Sequence, residues 1–74
     1  MITVRYFAAA AEAAGVDAEQ LPAGPVGAVL VERHPALAGV LERCALLADG
    51  RRVEADEPVP DGATLDVLPP FAGG

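Results

Sequence analysis

The residues with the clearest potential for chemistry are two glycines at the end of the sequence. Gly73 and Gly74 follow an apolar run that ends in a double proline, Pro69-Pro70. Proline fixes φ at about −65° and favours an extended path, so we expect this segment to project from the body of the protein. Because glycine has no Cβ, a partner can enclose such a backbone in a narrow channel. The pattern indicates an inserting tail, residues 69–74, that presents the Gly74 carboxylate; the alternative is an end without a function.

A terminal carboxylate needs activation before it can react. Its pKa of about 3.5 leaves it ionised, and a carboxylate is a poor electrophile. Other side chains offer little: His34 precedes Pro35 at a predicted helix end, where a surface or capping role is expected. Asp56 and Glu57 have no partner pattern for acid–base chemistry. So small a body offers neither a pocket nor a reactive constellation, which argues against an enzyme.

Composition limits the protein class. The 74 residues, 53% hydrophobic, predict one domain, residues 1–74, that is too apolar to be disordered. No run of about 18 apolar residues is present, and the N-terminus lacks the layout of a signal peptide, so no membrane association is expected. A lone Cys44 can form neither an internal disulfide nor a metal cluster, which favours a reducing cytoplasm and a core role for this residue.

The charge of the chain bears on its partners. Eleven carboxylates face five arginines, giving a net charge of −6. This balance argues against nucleic acid or anionic membrane as a partner. It suits docking onto a basic protein surface, although acidity also keeps a small protein soluble.

Periodicity and turn signals predict a short α+β chain. Strands are expected at 2–7, 17–21, 45–48, 52–54 and 64–68, a short helix at 8–14, a main helix from 25 to 34, further helical turns near 37–41, and a loop at 58–62. Asp49-Gly50 predicts a type I′ hairpin, because both central positions of that turn need positive φ. Central, parallel first and last strands satisfy the crossover rule. The resulting fold is a β-grasp (ubiquitin-like) arrangement: a mixed sheet of about five strands around one main helix.

Two segments carry a resemblance to a known family. The opening run from Val4-Arg5-Tyr6-Phe7-Ala8 to Gly15, and the close from Pro58 to Gly74 through Leu68-Pro69-Pro70-Phe71-Ala72-Gly73-Gly74, resemble sulfur-carrier proteins of the MoaD/ThiS family. Within that family the small subunits of molybdopterin synthases are most similar. Thiamin-type carriers also end in Gly-Gly but usually lack the short helix after the first strand.

The resemblance implies a mechanism and a set of partners. An adenylating, E1-like activating enzyme uses ATP to join the Gly74 carboxylate to AMP, and a sulfurtransferase supplies the sulfur that converts it to a thiocarboxylate. The larger molybdopterin synthase subunit then receives the tail, and the sulfur passes to a pterin precursor in molybdenum cofactor biosynthesis. The carrier itself binds no metal or cofactor. Two alternatives stay open: a sulfur carrier for thiamin or cysteine synthesis, and a ubiquitin-like protein modifier.

Strand alternation also predicts a core and a docking face. The expected core is Ile2, Val4, Val29, Leu30, Leu65 and Val67. Alternation places Phe7 and Leu68 on the other face, side by side where the tail leaves the sheet. With Phe71 they would form an apolar, partner-binding patch. The alternative is that they pack beneath the short helix.

Overall fold

The computed structural model describes residues 1–70 and contains seven strands and three α-helices there. In chain order these are β1 (Ile2–Tyr6), α1 (Ala9–Ala14), β2 (Ala18–Leu21), β3 (Gly24–Pro25), α2 (Val26–Arg33), α3 (Ala38–Leu41), β4 (Ala45–Ala48), β5 (Arg51–Val53), β6 (Pro58–Val59) and β7 (Thr64–Leu68). A 3-10 turn, Pro35–Leu37, joins α2 to α3. None of the helices in residues 1–70 has the length and apolar character needed to cross a membrane.

Five of the strands form one mixed sheet in the order β2-β1-β7-β4-β5. The first and last strands are parallel neighbours, with Val4 opposite Leu65 and Tyr6 opposite Val67. The other pairings in this sheet are antiparallel. With the main helix α2 contributing buried residues to the same core as the strands, the arrangement is the predicted β-grasp.

Turn chemistry explains where several elements end. Gly15 adopts a left-handed conformation (φ 78°) and closes α1, as its position predicted. Asp49 and Gly50 both have positive φ, 49° and 84°, at the hairpin between β4 and β5, which confirms the prediction for that turn. His34 ends α2 with φ −134° and ψ 87°, outside the helical region, which the residue before a proline avoids.

The first turn of α2 packs closely against the segment that follows β5. The amide of Gly27 donates a hydrogen bond to the carbonyl oxygen of Ala55 at 2.7 Å. A Cβ at position 27 would lie only 2.8 Å from the Cβ of Ala55, so this approach requires glycine. Next to it, β3 and β6 form a two-stranded ribbon. The prediction of a loop at 58–62 is therefore wrong for residues 58 and 59, which form strand β6.

The core differs from its prediction at one residue. Ile2, Val4, Leu30, Leu65 and Val67 are each at most 2% exposed and occupy it as predicted. Val29 is only half-buried and packs at its margin. The helix turns Val26 and Leu30 toward the sheet instead, and Leu37 of the 3-10 turn, with no exposed surface, completes the contact. Val29 follows helical spacing too, but it falls on the edge of the apolar stripe.

Candidate functional site

The tail predicted to carry the chemistry begins at the end of β7. Pro69 is buried and Pro70 is exposed, so the chain reaches the protein surface between these two prolines. Pro70 is therefore the first residue of the predicted tail that is exposed. Phe71, Ala72, Gly73 and Gly74 lie outside the described residues, so their predicted roles stay predictions.

The end of β7 is held on both sides. The strand pairs with β1 and β4, and its inward side chains Leu65 and Val67 have no exposed surface. At its start the Thr64 amide donates to the side chain of Asp49 at 3.0 Å. A central, buried strand fixes the point at which the predicted tail starts, and a fixed starting point suits the positioning of a reactive end.

Phe7 and Leu68 lie together at this exit, as predicted. The Phe7 amide donates to the carbonyl oxygen of Val67 at 3.2 Å, which continues the parallel ladder by one residue. Phe7 is 37% exposed and Leu68 is half-buried, with Ala45 opposite Leu68 on the next strand. Phe7 lines a shallow recess with Ala11 of α1 and still keeps more than a third of its surface exposed, so a partner can reach it. We call Phe7, Leu68 and Ala45 the exit patch.

The backbone around Phe7 is fixed by an unusual turn. Ala8 has φ 49° and ψ −125°, a conformation that glycine favours and that costs other residues about 1–3 kcal/mol. The Ala10 amide donates to the Phe7 carbonyl oxygen at 3.0 Å and closes the turn. Hydrogen bonds on both sides of Phe7 thus hold its Cα in place at the end of β1.

A charged pair that sequence reasoning missed supports the exit patch. The Arg5 guanidinium donates to both carboxylate oxygens of Asp66, from Nε at 2.6 Å and from Nη2 at 2.9 Å. The same guanidinium lies 5.9 Å from the centre of the Phe7 ring, within the range of a cation–π contact. Arg5 and Asp66 are opposite each other in the parallel register. One signal for this pair was present in the sequence: Arg5 and Asp66 are at outward positions of the alternating pattern, on two strands predicted to be neighbours.

A second polar cluster lies away from the tail, between the sheet and the end of α2. The Glu19 carboxylate accepts a hydrogen bond from the Tyr6 hydroxyl at 2.7 Å, contacts Nε2 of His34, and lies 3.5 Å from Nε of Arg33. The side chains of Glu19 and His34 are only 15% and 16% exposed. His34 was predicted to be a surface or capping residue; it lies at the C-cap of α2, where its amide donates to the Leu30 carbonyl oxygen, but its side chain is largely buried against Glu19. No local pattern in the sequence marks that contact.

The pKa shifts in this cluster agree with a structural role. Burial opposes ionisation of Glu19, but the hydrogen bonds from Tyr6 and His34 outweigh it and lower the pKa of this carboxyl. Burial and the bond to Glu19 raise the pKa of the Tyr6 hydroxyl, which stays a protonated donor. The ionised Glu19 carboxylate therefore links β1 and β2 to the end of the main helix.

Replacing Glu19 with glutamine should lower the free energy of unfolding by about 1–2 kcal/mol at neutral pH, because charge-assisted bonds are lost. A carboxyl whose pKa is lowered by folding stabilises above its unfolded pKa, about 4.3, and this contribution disappears as pH falls through the folded value. The difference between Glu19→Gln and the unchanged protein in urea unfolding should thus shrink at acid pH. Exposed Glu32→Gln is the control; an equal loss there would contradict the assignment.

Cys44 fits its predicted core role. It is half-buried and packs at the margin of the core, and its thiol donates to the Val40 carbonyl oxygen at 3.2 Å. Burial raises the pKa of this thiol, so little thiolate is present at neutral pH.

Comparison with known proteins adds independent evidence. A sequence model of the ThiS family matches residues 4–74. A search of curated proteins gave no match. Three solved structures are similar in fold. Small archaeal modifier protein 1 from Methanosarcina acetivorans is 26% identical over 99% of this chain and 95% of its own, with a TM-score of 0.80. Putative molybdopterin converting factor subunit 1 from Pyrococcus furiosus is 30% identical over 95% and 97%, with a TM-score of 0.74.

The third is a protein-protein complex of subunits 1 and 2 of the molybdopterin-converting factor from Helicobacter pylori. It is 21% identical, with 99% of this chain and 97% of that chain covered and a TM-score of 0.68, and it supports the fold alone. The family match runs from Val4, within β1, to Gly74, and the described sheet places the start of the predicted tail at the end of β7. The chain therefore belongs to the ThiS family, as a small β-grasp protein of the sulfur-carrier or ubiquitin-like modifier type.

Proposed function

We propose that this protein carries sulfur as a thiocarboxylate on Gly74 and donates it to a pterin precursor in molybdopterin synthesis. The observation that carries the proposal is the Gly73-Gly74 end, which follows a central strand flanked by the exit patch. Membership of the ThiS family supports a carrier. The 30% identity to a protein described as a molybdopterin converting factor subunit 1 supports the choice of pathway.

In the proposed reaction, partner enzymes supply the activation and the sulfur, and the carrier supplies its terminal carboxylate. An activating enzyme transfers AMP from ATP to the Gly74 carboxylate and releases pyrophosphate, which gives an acyl adenylate with a good leaving group. A sulfide-level donor, delivered by a sulfurtransferase, attacks the acyl carbon; the bond to AMP breaks, AMP leaves and a proton is released. The product is a thiocarboxylate whose sulfur is a nucleophile. The carrier supplies the acyl group and a surface for each partner. The lone, half-buried Cys44 is consistent with a protein that works in a reducing cytoplasm.

A second candidate is a ubiquitin-like modifier, favoured by the likeness to small archaeal modifier protein 1. In that case Gly74 would form an amide with a target lysine. The chain has no lysine of its own, so it could not build lysine-linked chains of itself.

Intact mass spectrometry separates the two candidates. The protein, ATP, the activating enzyme and a sulfide source should give a product heavier by the exchange of one oxygen for sulfur. Adding the larger synthase subunit and the pterin precursor should return the carrier to its starting mass. Stable adducts on other proteins, with no sulfur exchange, would support the modifier and contradict the proposal.

The exit patch should anchor the larger subunit. Changing Phe7 or Leu68 to aspartate is expected to weaken the complex by about 2 kcal/mol or more in isothermal titration, because an apolar anchor is lost at the centre of the interface. Val16→Asp is a matched control: Val16 is exposed to a similar degree, 41%, but lies in the loop between α1 and β2. Unchanged affinity in both patch variants would place the docking surface elsewhere.

A further inference from the structure

The outward face of the five-stranded sheet carries an ordered row of charges beside the exit patch. The strand registers set Arg5 opposite Asp66, Asp66 opposite Leu47, and Leu47 opposite Arg52. These four residues, which we call the charged row, cross β1, β7, β4 and β5 one step back from the tail exit. Half-buried Leu47 lies between the Arg5–Asp66 pair and Arg52.

The sign of charge on this face is opposite to that of the whole chain. Its outward positions hold two arginines and one aspartate, a net charge of +1, whereas the chain carries −6. The remaining outward positions in the strand registers are uncharged: Thr3, Ala18, Gln20, Ala45, Leu47, Thr64 and Leu68. The other ten of the eleven carboxylates lie outside these positions, so net charge is a poor guide to what meets this part of the sheet.

Arg5 is well prepared to enter an interface. Asp66 engages Nε and Nη2, which fixes the plane of the guanidinium, yet the Arg5 side chain stays 53% exposed. A guanidinium has five N–H donors, so donors remain for a partner's oxygen atoms. The pairing also lowers the cost of desolvation, because the arginine is not buried as an isolated charge. Contact with the Phe7 ring places these donors beside the apolar anchor.

We propose that the charged row recognises carboxylates on the partner protein, with Arg5 as the residue that determines specificity. The inference rests on the proposed function, since it takes the larger synthase subunit as the partner. That surface then combines an apolar recess for Phe7 and Leu68 with acidic side chains opposite Arg5 and Arg52. This differs from what net charge suggests, namely a basic docking surface, and the two possibilities predict opposite signs of effect.

Isothermal titration of single arginine-to-glutamine variants with the larger synthase subunit tests the sign. Arg5→Gln is expected to weaken binding about tenfold, and Arg52→Gln severalfold. Arg51→Gln is the matched control: it removes the same charge one residue away, but Arg51 opposes the inward Ala48 and lies 3.4 Å from Glu57. Arg5→Lys, which keeps the charge but not the fork of donors, should fall between Arg5→Gln and the unchanged protein. Thermal unfolding of each variant confirms that the fold is retained.

Each result decides between defined outcomes. Unchanged or tighter binding by both Arg5→Gln and Arg52→Gln, with binding still weakened in Phe7→Asp, overturns the acidic-partner inference and leaves the proposed function standing. Arg51→Gln weakening binding as much as Arg52→Gln also overturns it, because the effect would then follow overall charge. If the unchanged protein fails to bind the larger subunit at all, the proposed function fails and this inference fails with it.

Discussion

Removing Gly74 should abolish thiocarboxylate formation and leave the fold intact. The deletion moves the reacting carboxylate back by one residue, about 3.5 Å of chain. This displacement is too large for an enzyme that must hold the reacting atoms in a precise position. The strand pairings and the buried core described above are made by residues before Gly74, so we expect unfolding to be unaffected. Intact mass after incubation with ATP, the activating enzyme and sulfide measures the result. Sulfur exchange at the new end of the shortened chain would show that tail length is not critical.

A valine at Gly73 tests the narrow channel separately from the length of the tail. We expect Gly73→Val to prevent loading, because a branched side chain has no room where only backbone is accommodated. Gly39→Ala in α3 provides the control, since a Cβ there would meet nothing within 4 Å. Loading of the valine variant at the normal rate would contradict the channel and leave the role of Gly74 open to the deletion test.

Truncating Leu30 to alanine should lower the free energy of unfolding by about 2–5 kcal/mol. Leu30 is 1% exposed and lies between α2 and the sheet, so the loss combines apolar burial with an unfilled cavity. Domains of this size have only about 5–15 kcal/mol of stability or less, so the variant should lose a large fraction of it. Urea denaturation monitored by circular dichroism gives the value.

Val29→Ala provides the comparison for Leu30. Val29 neighbours Leu30 in the same helix but is only half-buried, so its truncation should cost clearly less. Equal losses at the two positions would mean that the helix does not face the sheet as described.

The inward faces of the first and last strands were predictable because alternation is a local signal. Ile2, Val4 and Tyr6 alternate with polar residues, and strands of period two have only one way to bury such a set. The Asp49-Gly50 turn was predictable for a similar reason, since few residue pairs accept positive φ twice. From these elements, a central parallel pair and hence the exit patch follow.

Contacts between distant residues were not predictable in the same way. Arg5 and Asp66 are 61 residues apart, and their pairing depends on a register that no single segment encodes. The Glu19 cluster joins three elements and gives no sequence pattern at all. The ribbon of β3 and β6 was missed because proline usually argues against a strand. Val29 was assigned to the core because its spacing is helical, and only the packing of α2 determines where the apolar stripe ends.

The position of β7 at the centre of the sheet has a consequence for how the protein is made. Strands β1 and β4 both pair with β7, so the sheet cannot assemble until that strand has left the ribosome. Folding of this domain therefore follows synthesis of its last strand instead of accompanying translation. A nascent chain released before residue 68 would lack its central strand and remain unfolded. Such a fragment would lack both the exit patch and the predicted tail, so we expect that it could not compete with the whole protein for the partners proposed above.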